Sequence, residues 1–326
     1  NGHLLHQQNF TGQGKMVAIM DAGFPGVNTA SPFQRLRDNN LILGGYNFPD
    51  RNTSIYTRSS HGTSVLSCMA GFVDNQLVGT APDAQYYLFI TEDVNSENPV
   101  EESYWVEALE MADSLGVDIV NSSLGYTNYD NINYSYDYSK RNGEIGFASR
   151  GASLAMSKGI VCVVSAGNDG NKQEKHISIP ADAENILAVG AVTTTESYAS
   201  FSSIGTSFDG RVKPELVAFG EDGSSGAAAL VSGIAGVLHH TFKQQNNGTA
   251  APASLIKAVL LNSADDVESP GIDFKSGYGN ANAFNAVTTI VQGHYFTGSV
   301  SASTQQQFNI IIPAGSKQLK ITLVWS

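Results

Sequence analysis

At 326 residues the chain exceeds one small core yet stays within reach of a single large α/β domain, so one large domain with a small appendage is expected. Hydrophobic residues at 41%, charged residues at 15% and 33 glycines fit a compact globule with many tight turns and exclude a disordered or coiled-coil chain. Thirty acidic against eighteen basic residues give a net charge of −12, which repels phosphate backbones and anionic lipid and speaks against nucleic-acid or membrane partners.

In chain order, the N-terminal NGHLLHQQNF has neither a basic nor an apolar signal-peptide region, as a mature or trimmed product would show. No run of eighteen apolar residues follows, so no membrane-spanning helix is expected. KMVAIMD, AQYYLFIT, VDIVNSSLG, IVCVVSAG and NILAVGAV read as short buried strands, with the helix-like HGTSVLSCMAGF, YWVEALEMADSLG and ASRGASLAMSKG between them. That alternation predicts an α/β fold: a three-layer arrangement with a mainly parallel sheet and helices on both faces. In YWVEALEMADSLG the spacing of Trp105, Ala108, Leu109 and Ala112 marks one helical face, and Gly116 stands where a C-terminal cap belongs. A long helix is expected through AALVSGIAGVLHHTF, whose Ala and Gly face permits close passage under the sheet. Cys68 and Cys162 sit among apolar neighbours and read as buried free thiols. Residues 128–145 and 244–252 read as polar surface loops.

From residue 294 the pattern alternates apolar and polar with period two, the mark of strands in a second, β-rich unit. The expected division is therefore 1–293 and 294–326, the latter too short to close a sandwich and expected to continue in the natural protein.

Four polar residues stand where chemistry is done. Asp21 ends a strand at the carboxyl edge of a parallel sheet, where open α/β folds keep their sites, although a strand-end Asp is more often a turn residue or cap. His61 opens a helix next to Gly62, which allows close backbone approach; alone such a His is more often a surface residue. Asn168 follows the strand IVCVVSAG, where an amide donates to a developing oxyanion or simply makes a turn. Ser225 lies between a glycine turn and an Ala-rich helix, near free amides and a positive helix end, or is a plain N-cap with Ser224.

Taken together, the order Asp, His, Asn, Ser with the flanks VAIMDAG, HGTSVLSCMAG, NSSLG, SAGNDG and GSSGAAALVSG resembles the subtilisin-like serine proteases, the subtilases of peptidase family S8. The resemblance spans roughly residues 10–290. It implies a subtilisin-like fold and a serine endopeptidase with Asp21, His61 and Ser225 as catalytic triad and Asn168 as oxyanion donor. It further implies that Ser122, Ser123, Leu124, Gly125 and Gly167 bind an extended polypeptide substrate, and that no cofactor is required, with a structural calcium ion admitted. Several phrases are similar to secreted subtilases of Bacteroidetes-type bacteria, which implies a secreted or cell-surface protein, and SKQLKITLVWS resembles the start of the β-jelly-roll domain that follows some of them.

Glu92, Asp93, Glu97, Glu101 and Glu102 fall just after a strand that borders the substrate in that family. They read either as an attraction for basic side chains, as calcium ligands, or as a solvated acidic loop leading into a helix N-terminus.

Two departures from the family pattern bear on activity. Gly226 and Ala229 replace an apolar residue and a Pro after the nucleophile, which is expected to loosen the helix start. Between Gly220 and Gly223 only Glu221 and Asp222 remain of some twenty residues that normally support the serine, so a catalytically impaired binding or regulatory protein is the second reading. An α/β-hydrolase esterase is disfavoured, since no G-x-S-x-G elbow occurs and the His precedes the Ser.

Overall fold

The apolar runs become strands because each can be buried on both faces, as a parallel sheet covered by helices requires. The computed structural model describes residues 2–325. Its elements in chain order are α1 (Gly2–His6), β1 (Met16–Asp21), α2 (Gln34–Asp38), β2 (Ile42–Asn47), α3 (His61–Ala70), β3 (Phe72–Val73), β4 (Leu77–Val78), β5 (Gln85–Ile90) and α4 (Val100–Ser114). There follow β6 (Ile119–Ser122), α5 (Phe147–Ser157), β7 (Val161–Ser165), β8 (Leu187–Val192), β9 (Leu216–Phe219), α6 (Gly223–Gln245), α7 (Ala253–Ser263) and α8 (Ala283–Val291).

Seven strands form one sheet in the order β2-β5-β1-β6-β7-β8-β9, and every neighbouring pair runs parallel. β3 and β4 make a small separate antiparallel pair. β1 is the third strand of the sheet, with β5 on one side and the central strand β6 on the other. The order reverses there, so the carboxyl ends of β1, β6 and β7 open a crevice at the switch point. The register aligns Met20 with Ser122 and Ser122 with Val164, bringing the three strand ends level.

The expected helices form. Gly116, at φ +73°, turns the chain out of α4 just beyond its cap, and Trp105 Nε1 on that helix donates to Ser122 Oγ at 2.9 Å. The long helix α6 is buried on nearly every side from Ser224 to Phe242, as a helix threading the middle of a domain must be. Its small residues are needed for closeness: a Cβ on Gly233 would fall 1.8 Å from Thr80 Oγ1. Cys162 is buried and Cys68 half-buried, both as free thiols. The loop at 128–145 is not polar surface throughout, because Tyr129 and Arg141 are buried within it.

Residues 294–325 carry no helix or strand, so the ladder expected there is not formed among the described residues. An alternating segment gains little until partner strands take up its backbone groups. Asn1 and Ser326, the ends of the two expected units, lie outside the described residues.

Candidate active site

Asp21 is the last residue of β1 and fully buried. Its Oδ1 accepts the Ala22 N–H at 2.7 Å and faces His61 Nδ1 at 2.7 Å. The approach is possible because His61 opens α3 and the next residue has no side chain. A Cβ on Gly62 would lie 2.5 Å from the Gly23 carbonyl and 2.9 Å from Asp21 Cβ. Burial pushes the Asp21 carboxyl up and the His61 hydrogen bond pulls it back. The same hydrogen bond, aided by the charges of Asp21 and Asp222, raises His61 above the ordinary imidazole value against the opposing effect of its own burial. A carboxylate that accepts Nδ1–H fixes the tautomer and leaves Nε2 as the free base.

Ser225 is the third residue of α6, where the backbone N–H groups have no partner within the helix, and it is 5% exposed. Its hydroxyl donates to the Ser123 carbonyl at 3.3 Å, and no hydrogen bond joins it to the His61 ring among the described residues. The shortened segment is a tight turn from β9 into α6, with Gly223 at φ +71°. It is clamped to the loop after β7: Asn168 Oδ1 accepts the Ser224 N–H at 2.9 Å, and Ser224 Oγ accepts the Gly167 N–H at 3.2 Å. Gly223 is required here, since a Cβ would come within 2.9 Å of Asn168 Oδ1. The loosened helix start expected from Gly226 and Ala229 is not found; α6 runs unbroken from Gly223, held by this clamp and by its burial.

Beside Ser225 lies a cavity of about 400 Å³ whose walls include Ser123, Leu124 and Gly125 on one side and Gly167 and Asn168 on the other. Of the residues expected to contact substrate, only Ser122 is not in its lining; it ends β6 fully buried, its hydroxyl accepting from Trp105.

The solvated acidic loop is corrected by burial. Glu92, Glu101 and Glu102 are 8%, 2% and 2% exposed. Glu92 Oε1 accepts from Thr91 Oγ1 at 2.9 Å and Tyr126 OH at 2.7 Å; Glu102 Oε1 accepts from Tyr129 and Tyr136 OH at 2.8 and 2.7 Å. Glu101 takes the N–H groups of Asp93 and Asn98 at 2.8 and 3.1 Å, tying the preceding loop to the first turn of α4. Burial pushes Glu92 up to about 8 and Glu101 to about 6. Among the described residues no group of three or more His, Cys, Asp or Glu converges to hold a metal ion, and no helix is long and apolar enough to cross a membrane.

Sequence reasoning missed Asp222 as a charge acting on His61, and Ser178, which lines the cavity. Asp222 was visible as an acid three residues before Ser225; Ser178 carried no local signal, since only the fold brings it under the cavity.

Residues 12–279 match the Subtilase family. The chain is 30% identical over 210 residues to subtilisin NAT of Bacillus subtilis subsp. natto, covering 63% of this chain and 48% of that protein. It is 28% identical over 296 residues to the thermophilic serine proteinase of Bacillus sp. (strain AK1), covering 84% and 62%. It thus spans about half to two thirds of the length of these relatives. Among solved structures, the prenylagaramide maturation protease PagA superposes with a TM-score of 0.67 at 22% identity, covering 89% of this chain and 98% of that one, a likeness of fold. With the family match covering most of its length, the chain belongs to the subtilase family.

Proposed function

We propose that the chain is a serine endopeptidase that hydrolyses polypeptides with Ser225 as nucleophile, His61 as base and Asp21 as orienting carboxylate. The observation that carries this reading is the Asp21–His61 hydrogen bond of 2.7 Å at the rim where α6 presents Ser225. In the reaction Ser225 Oγ bonds to the scissile carbonyl carbon while its proton passes to His61 Nε2. The imidazolium that forms is stabilised by Asp21, and its proton then goes to the leaving amine as the C–N bond breaks. Water, deprotonated by His61, releases the acyl group in the second half.

The oxyanion is held by Asn168 and by the Ser225 N–H. Support comes from the orientation of Asn168: its Oδ1 is occupied by the Ser224 N–H, which leaves Nδ2 as the donor. An extended substrate pairs with Ser123–Gly125 as an added strand, its side chain entering the cavity between that segment and Gly167. No cofactor takes part in these steps. Residues 1–293 carry the peptidase and 294–326 begin a second, β-rich unit. The resemblance of HGTSVLSCMAG and neighbouring phrases to secreted subtilases extends the reading to a secreted or cell-surface protein acting on extracellular polypeptide.

The impaired-protease reading keeps one specific observation, the Ser225 hydroxyl turned to Ser123 instead of His61. Hydrolysis of casein by the wild-type protein and its loss in Ser225→Ala supports the endopeptidase; equal traces of activity in both contradict it.

A further inference from the structure

The cavity beside Ser225 differs from an apolar specificity pocket in what its walls offer. Leu124 is the only large apolar side chain in them, set among Thr127, Asn128 and Ser165. They carry two carboxylates, Glu97 and Asp169, and no Lys, Arg or His. Asp169 is compensated by Lys172 at 2.6 Å. The Glu97 carboxylate has no ion pair and no hydrogen bond among the described residues, and its own N–H is turned to a second carboxylate, donating to Asp130 Oδ2 at 3.2 Å.

An independent observation concerns Ser178. It is 6% exposed, and its hydroxyl is buried with no hydrogen-bond partner among the described residues. That hydroxyl lies against the two glycines that flank the cavity: a Cβ would fall 2.2 Å from it at Gly125 and 2.8 Å from Ser203 Oγ and 3.5 Å from Ser178 Oγ at Gly167. Leaving a buried hydroxyl without a partner is unfavourable, and an occupant bearing hydrogen-bond donors relieves this while an apolar one does not.

We propose that Glu97 and Ser178 make this cavity selective for a basic side chain, arginine or lysine, on the residue whose carbonyl Ser225 attacks. The proposal rests on the endopeptidase reading for its cleavage arm. A long aliphatic stem lies along Leu124, while the cationic head supplies donors to the wall hydroxyls and the missing counter-charge to Glu97. Burial and then repulsion from Asp130 raise the Glu97 carboxyl, and the attraction of a cation beside it opposes that rise.

The test uses the full chain and fluorogenic peptides that differ only in the residue before the scissile bond: Arg, Lys, Gln, Leu or Phe. Arg and Lys peptides are expected to exceed the others by about tenfold in kcat/KM, equivalent to a single factor of ten in transition-state affinity. Glu97→Gln is expected to lower the Arg and Lys values about tenfold and to change the Leu and Phe values far less; Ser178→Ala narrows the same preference. In parallel, Ser225→Ala protein is titrated with the uncleaved Arg and Leu peptides, and the Arg peptide binds more tightly at low salt. Cleavage with a preference for Leu or Phe, or an equal loss for all peptides in Glu97→Gln, overturns the inference and leaves the protease intact. Selective binding of the Arg peptide without any cleavage supports the pocket and overturns the protease reading. Neither cleavage nor selective binding overturns both.

Discussion

Ser123 and Ser225 hold each other twice: Ser123 Oγ–H donates to the Ser225 carbonyl at 2.9 Å, and Ser225 Oγ–H donates to the Ser123 carbonyl at 3.3 Å. The first bond ends a buried chain in which Ser232 Oγ donates to Asn121 Oδ1 at 2.8 Å and Asn121 Nδ2 donates to Ser123 Oγ at 3.1 Å. The start of α6, with Ser225, is thereby tied to the segment that follows β6. The second bond turns the hydroxyl toward Ser123 rather than His61.

Ser123→Ala removes the tie to α6 while keeping the Ser123 carbonyl. A small misplacement of a nucleophile is costly, so kcat is expected to fall about tenfold or more with KM changed far less. Steady-state kinetics on one peptide substrate check this; an unchanged kcat shows that the tie does not position Ser225.

Asp222 adds a negative charge near His61 and favours its protonated form. The base must be neutral to act, so the acid limb of kcat/KM in the wild-type protein lies above the ordinary imidazole value. Asp222→Asn removes the charge, lowers the His61 pKa and moves that limb to lower pH. The shift shrinks in high salt because the charges are then screened. A pH profile that stays put, or moves to higher pH, contradicts the assignment.

Glu92 titrates at about 8 in the fold and near 4.5 when unfolded, because burial disfavours its charge. Between those values the folded protein binds more protons than the unfolded chain, so stability falls as pH rises through the window. Glu92→Gln keeps an acceptor for Tyr126 and Thr91 and has no charge to bury. Its melting temperature should match that of the wild-type protein at pH 5 and exceed it by about 5 °C at pH 9. A constant difference across that range means that Glu92 does not carry the effect.

Much of the fold was legible because its signals are local. The strand KMVAIMD, the face of Trp105, Ala108, Leu109 and Ala112, and Gly116 beyond it each declare their element within a dozen residues. Asp21, His61, Asn168 and Ser225 are each ambiguous alone and point to one site only through their shared order and flanks; the structure brings Asp21 to His61 and Asn168 to the turn before Ser225. Of the readings of the acidic segment, the solvated loop fails for Glu92 and Glu102 because their charges are answered from afar: Tyr126, Tyr129 and Tyr136 lie 27 to 34 residues further on, the last two in a loop read as polar surface. The shortened segment looked like lost support, yet its replacement is a tight clamp on Gly167 and Asn168, distant in the chain. The period-two tail shows the opposite limit, a clear local pattern that needs partner strands to become a ladder.

The proposed mechanism stands on Ser225 being a nucleophile activated by His61. A fluorophosphonate probe reacts with an activated serine and stays attached, and intact-mass and peptide analysis locate it. One adduct per wild-type chain is expected, at Ser225, with none in Ser225→Ala and slow labelling in His61→Ala. A wild-type protein that remains unlabelled, or an adduct that persists in Ser225→Ala, contradicts it.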